Sequence, residues 1–249
     1  HAWIEYLKES NPKAKIALLY QDDDFGQAYE KAIKKAIKGT DITIVAEQGF
    51  NPLGGTTPEA AVTKLSQSDA DTFIVGLGGT PCPTSLKLKP DTWNPATIVS
   101  VTCAGKTALS LAGGKDQGVI AAQATYDPSD PADAQVPAVQ QFRKDATAAG
   151  LTEQQIDGGI TGPGWGFGSL FGLGIENAET LDRAGVMNAL WSLDTDSFGL
   201  VRDGVTVITD GTEDPWAIEG FRIVQREGDG WKELSPITNW EGKSNSFAG

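Results

Sequence analysis

The feature that most constrains this chain is an alternation, over its first half, of short apolar or β-branched runs with amphipathic helical stretches. "KIALLY" (15–20) reads as a buried strand. It is followed by a helix with Tyr29, Ile33 and Ile37 on one stripe beside Ala28, Ala32 and Ala36. The acids Asp22 to Asp24 stand where a helix start favours side-chain caps and negative charge, and Gly39 is placed as its stop. The unit recurs. Strands are expected at 41–50, 72–77, 96–102 and 118–125, with a helix opened by Thr57 and Pro58 and shorter helices around 82–92 and 106–112. Parallel strands need crossover connections, so five strands alternating with helices predict an α/β fold with a mainly parallel sheet covered on both faces.

The stretch "YDPSDPADAQVP" (126–137) breaks this rhythm with three prolines and three aspartates, and reads as an extended linker with almost nothing to bury, an ordinary surface loop being the alternative. Beyond it helices are expected at 137–149, 162–178 and 181–193, then strands at 200–209, 217–226 and 231–240. "REGDGW" forms a hairpin turn in which Gly228 and Gly230 supply positive φ. Three amphipathic helices with so few strands to cover them leave two options: they fold back on the first sheet, or their own sheet lies outside this sequence.

Composition removes whole classes of function. With 33 acidic against 20 basic residues and a net charge of −13, the chain repels phosphate backbones and anionic membranes, so no nucleic-acid partner is expected. The single histidine is His1, which leaves no central residue for a Ser/His/Asp or Cys/His arrangement or a His-rich metal site. No catalytic residue, metal or cofactor is therefore expected, and the chain reads as a non-enzyme. No apolar run approaches the ~20 residues that span a bilayer, and no basic segment followed by a hydrophobic one marks a signal peptide.

Five segments, "KIALLYQDDDFGQAYEKAIKKAI", "KLSQSDADTFIVGLGG", "GVIAAQATYDPSDP", "LDRAGVMNALWSL" and "GDGWKELSPI", resemble in order and spacing the branched-chain amino-acid type of ABC-transporter solute-binding protein, a type I periplasmic binding protein. The resemblance implies a two-lobed fold of which this sequence holds the C-terminal two-thirds. Residues 1–125 would be the second lobe, 126–215 the returning first-lobe segment lacking its N-terminal sheet, and 216–249 a final crossing back to the second lobe. Its implied partners are a small-molecule ligand, an ABC permease in the membrane and the missing N-terminal first-lobe segment. Its implied location is extracytoplasmic, in the periplasm or as a cell-surface lipoprotein. A ligand-sensing ectodomain of a signalling receptor shares the fold. A nucleotide-dependent doubly wound enzyme is a third reading, opposed by the missing phosphate fingerprint.

In parallel sheets ligands bind at the carboxyl ends of strands, where helix N-termini offer unpaired N–H groups. That edge gathers Asp24, Phe25, Gly78, Gly79, Thr80 and Thr102 as candidate ligand-binding residues. By resemblance Phe25 stands where the family places an aromatic over the ligand, often a Tyr, and Gly78, Gly79 and Thr80 on the cleft edge of the second lobe. A capped helix and a tight glycine turn explain the same residues without a ligand. Thr102 matches a position that carries an acid for the ligand ammonium in branched-chain amino-acid binders; here it is a neutral hydroxyl. Cys82 and Cys103 follow strand ends in neighbouring α/β units, and in an exported protein they are expected to form a disulfide, two buried free thiols being the alternative. Gly164, Gly168 and Gly172 recur every four residues and form one helix face suited to close packing, assigned here to the missing first-lobe sheet.

Overall fold

The computed structural model describes residues 1–54, 57–195 and 198–247. The chain forms two compact units, residues 1–122 with 223–235 and 247 in unit 1, and residues 123–222 with 236–246 in unit 2.

Unit 1 runs α1 (Ala2–Ser10), β1 (Lys15–Gln21), α2 (Asp24–Ala36), β2 (Thr43–Phe50), α3 (Glu59–Ser66), β3 (Thr72–Gly76), α4 (Pro81–Leu88), β4 (Ala96–Val99), α5 (Lys106–Ser110) and β5 (Ile120–Gln123). Unit 2 holds α6 (Pro137–Ala148), α7 (Glu153–Ile156), α8 (Thr161–Glu176), α9 (Arg183–Leu190), β6 (Asp194–Thr195) and β7 (Val207–Ile208). The chain returns through β8 (Gly220–Glu227) and β9 (Gly230–Glu233), and ends with β10 (Thr238–Asn239) and α10 (Ser244–Phe247).

The sheet of unit 1 has the order β8-β5-β4-β3-β1-β2, with β9 on β8. β1 pairs in parallel with β2 and β3, β3 with β4, and β4 with β5. The expected α/β class and mainly parallel sheet are therefore correct. The continuous apolar runs follow from a strand's two-residue period with both faces buried. Ala17, Leu19, Phe73, Val75 and Val99 pack on one face with Val62 and Leu65 of α3 and Leu86 of α4. Ile16, Leu18, Ile74 and Ile98 pack on the other with Ile4 and Leu7 of α1 and Ile33 of α2. At the hairpin, Gly228 has φ +58° and Glu227 pairs with Gly230, so one of the two expected glycines takes the left-handed conformation.

Unit 2 has a different build. Val139, Phe142, Ile156 and Leu200 form one small core and Val201, Val205 and Val207 another. The strand expected over 200–209 is reduced to Val207 and Ile208, paired with β6, and one bridge between Val201 and Thr125. Gly204, at φ +92°, breaks the extension between them.

Residues 126–137 are not an extended linker. Asp133 is 4 % exposed and its Oδ2 accepts from Arg202 Nη2 at 2.6 Å and from the Asp127 N–H at 2.8 Å, while Arg202 lies over the Tyr126 ring at 4.2 Å. The partner is 69 residues away, so local composition gave no sign of the pairing. The units also divide differently from the expected 1–125, 126–215 and 216–249: the chain crosses after Ala122 and Arg222, and 236–246 belongs to unit 2. The cause is local to unit 2. β10 pairs with Gly220 and Phe221, and Glu219, almost wholly buried, accepts the N–H groups of Gly242 (2.6 Å) and Ser244 (2.7 Å).

On α8 the glycines buried against the rest of unit 2 are Gly162, Gly166 and Gly174: a Cβ at Gly162 would fall 2.9 Å from Leu200 and one at Gly174 2.8 Å from Leu190, while a Cβ at Gly199 would fall 2.6 Å from the Gly166 Cα. Gly164, Gly168 and Gly172 have open space beside them.

Candidate functional site

Because β1, β3 and β4 run parallel, the loops that follow them emerge on one edge of the sheet. The first, after Gln21, opens α2 with Asp23 as its cap, whose carboxylate accepts the Gly26 N–H at 3.2 Å. The amide of Gln21, then the N–H groups of Gly26 and Phe25, hold the Asp23 carboxyl below the usual range. Gly26 is obligatory here, since a Cβ would fall 2.0 Å from the Gln21 carbonyl oxygen.

The three loops meet around Gly78. A side chain there would lie 3.6 Å from Gln21 Oε1, 3.7 Å from Phe25 Cε1 and 3.7 Å from Thr102 Oγ1. Phe25 is half-buried, with its ring edge-on to Tyr29 at 5.3 Å. Asp24, Gly79 and Thr80 are exposed on the same edge, Asp24 in the first turn of α2 and Thr80 capping α4 without a side-chain hydrogen bond. Gly79 needs its freedom, with φ at +58°. Thr102 lies three residues beyond the end of β4, in an exposed turn, rather than in the strand. Cys82 and Cys103, both fully buried, are bonded at 2.07 Å and join the start of α4 to the turn after β4.

Two further residues complete the edge, and the sequence reading passed over both. Gln21 Oε1 accepts the Gly78 N–H at 3.1 Å and Gln21 Nε2 donates to Asp23 Oδ2 at 2.6 Å. Ser100 Oγ donates to the Leu77 carbonyl at 2.6 Å and lies 3.0 Å from Thr102 Oγ1. A polar residue closing a buried strand was the one available signal for Gln21.

These bonds fix what the edge offers chemically. The Gly78 N–H is taken, so it is not the free donor expected of that glycine. Ser100 has one proton and spends it on Leu77, so the Thr102 hydroxyl donates to Ser100 and turns its lone pairs outward. Around Gly78 the polar atoms are acceptors, Thr102 Oγ1 and Gln21 Oε1, beside the apolar face of Phe25. Among the described residues no helix is long and apolar enough to cross a membrane.

An α/β sheet with converging loops at its carboxyl edge is an open parallel fold of the class that binds ligands at that edge. Residues 1–230 match the family described as periplasmic binding protein, and the chain belongs to that family, as its resemblance to the branched-chain amino-acid type implied. Its fold and family are those of solute-binding proteins. No curated protein matches the sequence. Among solved structures it is similar to a branched-chain amino-acid ABC transporter protein from Thermus thermophilus with bound valine (17 % identity, TM-score 0.79). It is similar too to a fatty acid ABC transporter substrate-binding protein from Thermomonospora curvata (17 %, 0.76) and to an ABC transporter substrate-binding protein from Aeropyrum pernix (18 %, 0.74). Each similarity covers 99 % of this chain, which spans 66 %, 64 % and 65 % of those chains respectively.

Proposed function

We propose that this chain is the larger part of an extracytoplasmic solute-binding protein that captures a small polar metabolite, an amino acid or related compound, between two lobes and delivers it to an ABC permease. The observation that carries this reading is the gathering of Gln21, Phe25, Gly78 and Thr102 from three loops at one sheet edge. An aromatic face beside outward acceptors suits a ligand with some apolar surface and a hydrogen-bond donor. Asp24, Gly79 and Thr80 extend the site along the same edge. An ammonium moved out of water needs an anion, and with Thr102 neutral the exposed carboxylates of Asp22 and Asp24 on this edge could supply it, Asp23 being engaged by Gln21 and Gly26. Closure around the ligand supplies the difference in shape that a permease reads.

The two compact units correspond in this reading to the second lobe and the returning part of the first. The apolar face of α8, with Phe167 71 % and Phe171 57 % exposed, supports a first-lobe segment that covers it and lies outside this sequence.

A thermal-shift screen of the full-length protein against amino acids, amides, aromatic acids and fatty acids tests the function. A ligand at 100 times its dissociation constant stabilises by about 2.7 kcal/mol, and at least one polar compound should do so. Phe25→Ala should weaken the strongest binder by more than about 1 kcal/mol in calorimetry with the fold intact. Unchanged affinity in that variant removes the proposed site.

A further inference from the structure

The loop between β3 and α4 is held from both sides by links that the sheet itself does not require. On one side the Gln21 amide is satisfied at both ends, accepting from Gly78 (3.1 Å) and donating to Asp23 (2.6 Å), which in turn caps α2 through Gly26 (3.2 Å). Flipping that amide breaks both bonds, setting its NH2 against the Gly78 N–H and its oxygen against the Asp23 carboxylate. On the opposite side the Cys82–Cys103 bond ties the first turn of α4 to the turn carrying Thr102. Ser100 adds its bonds to Leu77 and Thr102 at the same place.

Between these links lies the chain least able to hold itself. Gly78 and Gly79 are adjacent, Gly79 sits at positive φ, and the α4 cap Thr80 makes no side-chain capping bond. Glycine loses more backbone freedom on ordering than any other residue, and a ligand that had to order this loop would bind more weakly by that entropy. Both cysteines are fully buried, so their bond is closed to solvent reductants in the folded chain and acts as a permanent fastening.

We propose that Gln21 and the Cys82–Cys103 bond are positioning residues that hold the Gly78–Thr80 loop in its binding geometry before any ligand arrives. This rests on the reading of the edge as the ligand site, and its test needs no ligand.

Residue-resolved amide exchange on the full chain decides the matter. The Cys82 N–H bonds to the Gly79 carbonyl within the loop and does not touch Gln21, while the Val62 N–H bonds to Pro58 at the start of α3. Gln21→Ala should speed exchange at Cys82 at least tenfold and leave Val62 unchanged. The double variant Cys82→Ala/Cys103→Ala should do the same at the Gly78 N–H. Gln21→Ala keeps the disulfide, so the proposal stays open to refutation if the double variant does not fold. Gln21→Glu retains the acceptor for Gly78 but sets a carboxylate against Asp23. Its Cys82 exchange, as a ratio to wild type, should be raised at neutral pH and fall back as acid protonates one of the pair. Equal acceleration at Cys82 and Val62 in Gln21→Ala would reduce Gln21 to an ordinary structural residue, and unchanged exchange at Cys82 would show that the loop holds itself; either result overturns the proposal. The site reading is judged apart from this, by the affinity of Phe25→Ala.

Discussion

Units 1 and 2 use the same residue types and differ in how far their apolar faces are buried. In unit 1 every central strand is apolar on both faces, and each face meets helices that bury it: Leu18 and Ile74 on one side, Leu19 and Phe73 on the other, are all fully buried. In unit 2 α8 has one face packed through Gly162, Gly166 and Gly174 and another that carries Phe167, Phe171 and Ile175 into solvent. Helical periodicity is written in the chain whether or not its cover is present. An apolar stripe read from sequence therefore predicts that something packs there, and structure decides whether that something belongs to the same chain.

The largest test of this contrast is a pair of truncations. Phe73→Ala should cost about 4 kcal/mol of unfolding free energy in urea titration, as a large buried side chain lost from a close-packed core. Phe167→Ala should stay within about 0.5 kcal/mol in this chain. A costly Phe167→Ala would mean that the exposed face is already covered in solution.

Unit 2 has its own strong point in the buried Asp133–Arg202 pair. Asp133→Ala leaves the guanidinium uncompensated and should cost about 3 kcal/mol by the same measurement. A loss under about 1 kcal/mol would show that the 126–137 segment behaves as the linker its composition suggests.

Smaller effects are expected at the binding edge. Thr102→Val removes the outward acceptor while keeping shape, and should weaken the strongest binder of the screen by about 1 kcal/mol, whereas Thr102→Ser should bind as wild type does. Equal affinity in all three would remove Thr102 from the site.

The smallest concerns Glu241 in unit 2, whose carboxyl is pushed above its ordinary range by burial and by the neighbouring Glu219 and Asp214, against a hydrogen bond from Thr206 that lowers it. A raised carboxyl binds its proton more tightly when folded, so its contribution is fully present below the unfolded value near 4.5 and lost as pH rises through the folded one. Glu241→Gln should then be more stable than wild type at neutral pH, with the gap closing as pH falls. Parallel stability curves for the two proteins would refute the assignment.

Much of unit 1 was legible because its determinants are local: the apolar run 15–20, the capping acids before α2, the left-handed turn at Gly39. The carboxyl edge was legible in outline for the same reason, since parallel strands place their following loops together. The two residues missed there, Gln21 and Ser100, act through bonds to Gly78 and Leu77 that span 57 and 23 positions, and the only local sign was the polar Gln21 at the end of a buried strand. In unit 2 the strand over 200–209 failed because Gly204 interrupts it, and the 126–137 segment because Arg202, which makes its aspartate buriable, lies far along the chain.

The interleaving of the units carries a consequence for synthesis. β8 lies beside β5 in the sheet of unit 1, yet β5 ends at Gln123 and β8 starts at Gly220. At ribosomal rates of about 5–20 residues per second, translating the intervening stretch takes roughly 5 to 20 seconds. Throughout that interval a nascent unit 1 exposes β5 as an unpaired edge, the surface most apt to recruit a strand from another chain. Cells that make this protein must hold or shield that edge until β8 has left the ribosome, so its yield should depend on translation rate and chaperone supply more than its finished stability would suggest.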